Sequence, residues 1–187
     1  MLEFKAFPKI PRWNRPLLVT EKIDGTNGVI QVDPDGTVRA GSRKRWVTVD
    51  QDNFGFAAFV QENADELRRL GTGFHYGEWW GKGIQRHYGV QDRRFSLFDT
   101  ERWSDPSIRP LCCRVVPVLA TLAQVRSEDL DGIIRDLLEN GSKAETGFLN
   151  PEGIIIRHTV SGMCFKMTCR DDLAKESRLA LPERTTC

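Results

Sequence analysis

The chain has 187 residues, 28% of them charged and 40% hydrophobic, with a formal net charge of +1. That length suits one domain with a real core, and so balanced a charge gives no bulk attraction to nucleic acid. No run approaches the roughly 18 apolar residues of a membrane helix, and no signal-peptide-like apolar region opens the chain.

The first clear strand signal is Pro16 to Val19, which runs into TEKIDGTNG, Thr20 to Gly28. On an extended strand Thr20, Lys22 and Asp24 share one face, so a lysine and a carboxylate arrive together at a tight turn. A lysine becomes a nucleophile only with its proton displaced by desolvation or a neighbouring cation. Asp24 alone works against that, so the nine residues taken by themselves read as a structural ion pair. Gly28 to Asp33, a Pro34-Asp35-Gly36 turn and Thr37 to Ala40 form a hairpin.

Phe54 to Leu70 has helical periodicity, with Phe56, Phe59, Val60, Leu67 and Leu70 on one stripe, an Asp52-Asn53 cap and Gly71 as terminator. Trp79 to Tyr88 mixes aromatics, cations and glycines, the mixture that stacks bases and tracks phosphates, or else packs as a glycine-hinged loop. Gly77 to Lys82 is one residue short of a Walker A loop, and Gly83 stands where Ser or Thr is needed. Phe95 to Phe98 reads as a buried strand. Ser127 to Asn140 is a second helix, with Ser127 as N-cap, an acidic first turn and Gly141 as its stop. Gly153 to Arg157 and Met163 to Thr168 make a last hairpin.

Hairpins with two helices imply an α+β domain rather than a doubly wound α/β fold. The five cysteines include no CxxC pair. They read as reduced thiols of a cytoplasmic protein; a zinc site from Cys164, Cys169 and a histidine is the lesser alternative.

Val19 to Gly28, centred on Lys22-Ile23-Asp24-Gly25, resembles motif I of the covalent nucleotidyltransferases: ATP-dependent DNA and RNA ligases and mRNA capping enzymes. The longer Glu21 to Asn27 is similar to the RNA-ligase branch. Gly41-Ser42-Arg43 resembles motif Ia, Tyr76-Gly77-Glu78 motif III and Ser96 to Asp99 motif IIIa. Glu152 to Ile155 resembles motif IV, and Phe165 to Thr168 motif V. Phe7 to Ile10 is similar to RNA-ligase N-termini, so the resemblance runs from about residue 5 to residue 170.

The resemblance implies a nucleotidyltransferase (adenylation) domain of the ATP-grasp-like or DNA-ligase type: antiparallel sheets flanked by helices, with the nucleotide pocket between them. It implies an enzyme that takes AMP from ATP onto Lys22, passes it to an RNA 5′-phosphate and seals that end to a 3′-hydroxyl, as in RNA repair. Mg²⁺ or Mn²⁺ is the implied cofactor. Lys166 would contact the α-phosphate and supply the second cation that a reactive lysine needs. Glu152 and Glu78 would hold the metal, with Glu78 alternatively on the ribose hydroxyls. Glu21 would read the adenine amino edge, Phe98 stack on the ring, Arg43 grip a phosphate and Asn27 bind the 5′-phosphate end. Asp24 ranks below Lys22, as a turn former beside the catalytic lysine. The basic residues Arg43, Lys44, Arg45, Lys82 and Arg86 would meet RNA, or else form solvated clusters.

Two departures stand out. Thr168 occupies the place of a second motif V lysine, for which Arg170, on the same strand face, is a candidate substitute. The chain also ends about 17 residues after motif V, so a single domain spanning 1–187, without a C-terminal OB-fold and monomeric, is expected. A DNA ligase, a GTP-dependent capping guanylyltransferase and a non-catalytic nucleotide- or RNA-binding descendant are the alternatives.

Overall fold

A computed structural model describes residues 3–124 and 126–170. Strand β1 (Leu17–Lys22) is followed by the hairpin of β2 (Thr26–Val32) and β3 (Val38–Ser42), then by the short β4 (Trp46–Val47). Helices α1 (Phe56–Glu62) and α2 (Ala64–Leu67) lead into the long β5 (Gly73–Gly81) and β6 (Arg93–Leu97). After α3 (Thr100–Trp103) come β7 (Cys113–Val115), β8 (Val118–Leu122), α4 (Ser127–Asn140), β9 (Gly153–His158) and β10 (Cys164–Thr168).

These strands form two sheets, a six-stranded one in the order β4-β3-β2-β5-β6-β7 and a four-stranded one in the order β10-β9-β1-β8. All pairings are antiparallel except β6 with β7, so one parallel pair sits at the edge of an otherwise antiparallel sheet. Both expected hairpins form, and Arg93–Leu97 is a strand buried at its C-terminal end.

The stripe expected over 54–70 packs as a unit against the six-stranded sheet, where Phe56, Val60, Leu67 and Leu70 are buried with Ile30, Val32, Trp79 and Phe95. The helix itself is broken. At Asn63 the backbone leaves the helical region and the side-chain amide donates to the Phe59 carbonyl, so α1 ends and α2 restarts. Asp52 does cap α1, accepting from the backbone N–H groups of Ala57 and Ala58, although Gly55 holds the N-cap position. Helix α4 covers 127–140 as expected, but Ser127 is its first residue and the N-cap is Arg126, which makes no side-chain cap.

Leu137 of α4 packs on Leu17, Val19, Ile154 and Ile156, one face of the four-stranded sheet. A third cluster of Ile23, Trp80, Tyr88, Val90 and Val116, with Phe148 against it, joins the two sheets. Thus both Trp79 and Trp80 are core residues. The Trp80 indole N–H donates to Ser96 Oγ, and its ring meets Tyr88 edge-on at 4.9 Å. Packing, and not base stacking, is their role.

No helix among the described residues is long and apolar enough to cross a membrane.

Candidate active site

The sheet register decides which side chains meet. Across β1, β9 and β10, Thr20 lies opposite Ile155, which lies opposite Lys166; one step along, Lys22 lies opposite Gly153, which lies opposite Thr168. Directly opposed residues point the same way. One face therefore carries Lys22, Thr20, Ile155 and Lys166, while the other packs on α4. That free face floors a cavity of about 900 Å³, lined also by Glu21, Asn27, Arg43, Glu78, Phe98, Val116 and Phe165. The volume is that of a small-molecule site.

At the end of β1, Lys22 Nζ donates to Glu152 Oε2 at 2.5 Å, both side chains being mostly buried. Gly153, opposite Lys22, is required by the close pairing of β9 with β10: a Cβ there would lie 2.1 Å from the Met167 carbonyl oxygen and 2.7 Å from the Thr168 Cα.

The carboxylate beside Lys22 is thus Glu152 and not Asp24. Strand β1 stops at Lys22, and the turn carries Asp24 away from the cavity to Arg86, whose Nε donates to Asp24 Oδ2 at 2.8 Å. The shared face expected for Thr20, Lys22 and Asp24 fails because the strand ends before Asp24. Arg86 also donates to the carbonyls of Asn150 and Pro151, immediately before Glu152. It therefore works inside the fold, where the sequence suggested an RNA-facing cation. Tyr88 supports the same turn: its hydroxyl accepts from the Asp24 N–H at 2.8 Å.

Glu78 faces Lys22 from the six-stranded sheet. Its carboxylate accepts from the Gly25 N–H at 3.1 Å and from Asn27 Nδ2 at 3.0 Å. Gly25 fits because a Cβ there would meet the Trp79 carbonyl at 2.4 Å. Burial pushes the Glu78 pKa up to about 7; the Lys22 charge and the two donors oppose the rise, and the Glu152 charge adds to it.

Glu21 is 1% exposed. It accepts from Ser142 Oγ at 2.5 Å and from the N–H groups of Lys143 and Ala144 at 2.7 and 2.9 Å. Burial raises its pKa, and those donors counter the rise. Its first task is to anchor the 142–144 loop, which no sequence pattern announces.

Phe98 is half-exposed on the cavity wall, so its ring is not consumed by core packing. Arg43 is exposed and lines the cavity; Lys44, Arg45 and Lys82 are exposed and do not. Arg170 does not line it either, because β10 ends at Thr168 and residues 169–170 bend away from strand geometry. Arg157 is a lining residue that the motif reading passes over, although the alternation Gly153, Ile155, Arg157 on β9 points to it.

Among the described residues no group of three His, Cys, Asp or Glu could hold a metal, which removes the zinc alternative at Cys164 and Cys169. The described cysteines are free thiols. Glu78 lines the cavity and feels the charge of Glu152, the partner of Lys22. Two carboxylates completed by substrate phosphates and water are what Mg²⁺ or Mn²⁺ takes.

Comparison with solved structures finds Naegleria gruberi RNA ligase in several complexes. A variant with ATP and Mn superposes with a TM-score of 0.60 at 16% identity, covering 87% of this chain and 52% of that one. A variant with AMP and Mn gives 0.63 at 17% identity, with 88% and 53% coverage. The complex with PPi gives 0.58 at 18% identity, with 87% and 52% coverage. At this identity the likeness establishes the fold, and the chain spans about half the length of those ligases. A comparison with curated proteins gives no match. A family model described as RNA ligase matches residues 15–175, nearly the whole chain, and with that coverage the protein belongs to the RNA ligase family.

Proposed function

We propose that this chain is the adenylylating and strand-joining core of an ATP-dependent RNA ligase, built on an adenylation domain of the ATP-grasp-like or DNA-ligase type. The observation that carries the reading is the single sheet face bearing Lys22, with Glu152 at 2.5 Å and Lys166 two strands away on the floor of the same cavity.

In the first step the Lys22 amine, its proton released, gives its lone pair to the α-phosphorus of ATP. A P–N bond forms, the P–O bond to pyrophosphate breaks, and lysyl-AMP remains. A 5′-phosphate oxygen of RNA then displaces Lys22 from the AMP phosphorus. Finally a 3′-hydroxyl attacks the activated 5′-phosphate, AMP leaves and the strand is joined. Such transfers depend on alignment and neutralisation of phosphate charge, so cations around the reacting phosphorus matter most.

Lys166 and Arg43 line the cavity as those cations. Phe98 stacks on adenine. Glu21 keeps a free lone-pair site on Oε1 for the adenine amino edge, since a carboxylate offers about four such sites and three are taken. Glu152 and Glu78 would hold Mg²⁺ or Mn²⁺, which supplies Lewis-acid charge to the phosphates. Asn27, hydrogen-bonded to Glu78, ties the 5′-phosphate end to the same cluster.

One observation favours a second reading, a non-catalytic nucleotide- or RNA-binding descendant. Thr168 takes a lysine's place, and Arg170 does not line the cavity.

One experiment separates the two. Incubated with α-labelled ATP and Mg²⁺ or Mn²⁺, the protein is expected to take a covalent label that Lys22→Ala abolishes. No label from ATP, GTP or NAD sinks the ligase reading. A label from GTP alone points to capping, and joining of DNA alone points to a DNA ligase.

A further inference from the structure

We propose that the open face of the six-stranded sheet, adjoining the cavity, is a stacking platform for the unpaired nucleobases of a single-stranded RNA end. The proposal rests on the ligase reading for the nature of the polynucleotide, and adds where its bases lie.

Alternate side chains of β5 follow one face from inside to outside. Trp80 is buried between the sheets, Glu78 faces the cavity, and Tyr76 and Phe74 stand in solvent at 55% and 53% exposure. Register places neighbours on the same face: Tyr76 lies opposite Val29, Val29 opposite Gly41, and Gly41 opposite Trp46. The Trp46 ring lies over Gly41 and is 49% exposed. Trp46 and Phe74 have centroids 6.3 Å apart at 24°, and Phe74 and Tyr76 6.4 Å apart at 21°. Three nearly parallel rings thus form an open row, beginning two residues from Glu78.

Such a patch of exposed aromatic surface marks an interaction site. Its surroundings select the partner. Arg39, Arg43, Lys44 and Arg45 are exposed on β3 and the turn that leads to Trp46, and Arg43 also lines the cavity. Three acids near the row are engaged, and their pairs also occupy Arg39 and Arg157, so the positive charge beside the rings rests on Arg43, Lys44 and Arg45. Asp33 pairs with Arg39 at 3.3 Å, Glu101 pairs with Arg157 at 3.0 Å, and Asp99 accepts from the Arg102 N–H. A second recess of about 380 Å³ is lined by Phe74 and Tyr76 and shares Phe98 and Arg157 with the cavity. Open parallel rings bordered by guanidinium groups, continuous with the reacting site, suit bases that stack while their phosphates follow the basic edge.

The test is fluorescence anisotropy of the full chain with a short, unstructured, end-labelled single-stranded RNA. Phe74→Ala and Tyr76→Ala are each expected to weaken binding about tenfold or more, the range of base–aromatic stacking. Tyr76→Leu should lose binding and Tyr76→Phe keep it, a distinction that apolar area alone does not make. Unchanged affinity in the Phe74→Ala/Tyr76→Ala double variant overturns the proposal. So does equal binding of the Leu and Phe variants, or a change in self-association with RNA affinity intact. The anisotropy requires no chemistry, so it judges the platform whatever the ATP-labelling result, which bears on the ligase reading alone.

Discussion

Lys22 shows what a single residue's neighbours decide. The sequence puts Asp24 beside it, two positions away, and the fold replaces that partner with Glu152, 130 residues distant. A reader of the sequence can find Lys22, Glu78, Glu152 and Lys166 as residue types in family order. The ion pair between Lys22 and Glu152 is invisible there, because it depends on β1 and β9 pairing in register. His75 carries a residue-scale prediction away from the site. It is buried, Nε2 lies 2.8 Å from the Gly71 carbonyl, and burial holds its pKa below the ordinary value of 6.5. As pH falls through 6.5 the unfolded chain takes up a proton that the folded chain refuses, so stability drops with acidity until the folded-state pKa is reached. Urea melts across that window should show this loss, and His75→Phe should remove its share of it.

At the scale of an element, the segment between β5 and β6 is a clamp. Gln85, His87 and Tyr88 all have positive φ, an unusual backbone for non-glycine residues, and this bends Arg86 and Tyr88 inward. Arg86 then ties the turn after Lys22 to the residues before Glu152. Arg86→Ala frees both loops. Since misplacement by about an ångström can cost on the order of 100-fold in rate, self-adenylylation should slow by roughly 10- to 100-fold, read as a fall in rate constant more than a rise in the ATP concentration needed. The composition of Trp79 to Tyr88, which runs from β5 into this segment with tryptophans, cations and glycines, is compatible with stacking or packing. Only the burial of Trp79 and Trp80 decides between them. The broken helix after Phe56 is equally hard to read, because the stripe persists through the kink that Asn63 imposes.

For the whole molecule, local hairpins and the α4 helix are legible in the sequence, since turn chemistry and periodicity are local. The division into two sheets is not. It rests on long-range pairings of β1 with β8 and β9, and on a parallel β6–β7 contact that no hairpin rule anticipates. The sheets are joined through the cluster around Trp80 and Tyr88, with the Phe148 ring 4.4 Å from that of Tyr88 and tilted by 31°. Trp80→Ala should cost about 3–5 kcal/mol in denaturant unfolding, the range for a fully buried large aromatic, and it should also lower ATP labelling by loosening the cavity walls.

The alternation along β5 makes that strand a ruler with a parity. Moving its register by one residue would exchange Trp80, Glu78, Tyr76 and Phe74 for Trp79, Gly77, His75 and Gly73, turning each to the opposite side. The joint between the sheets, the buried carboxylate and the open aromatic row would all be lost in one step. Two residues inserted between Tyr76 and Glu78 would preserve every facing, keep Glu78 and Trp80 in place, and change only how far the row lies from the cavity. Insertions in β5 are therefore survivable in pairs and ruinous singly, which makes strand length an adjustable reach in units of about 7 Å.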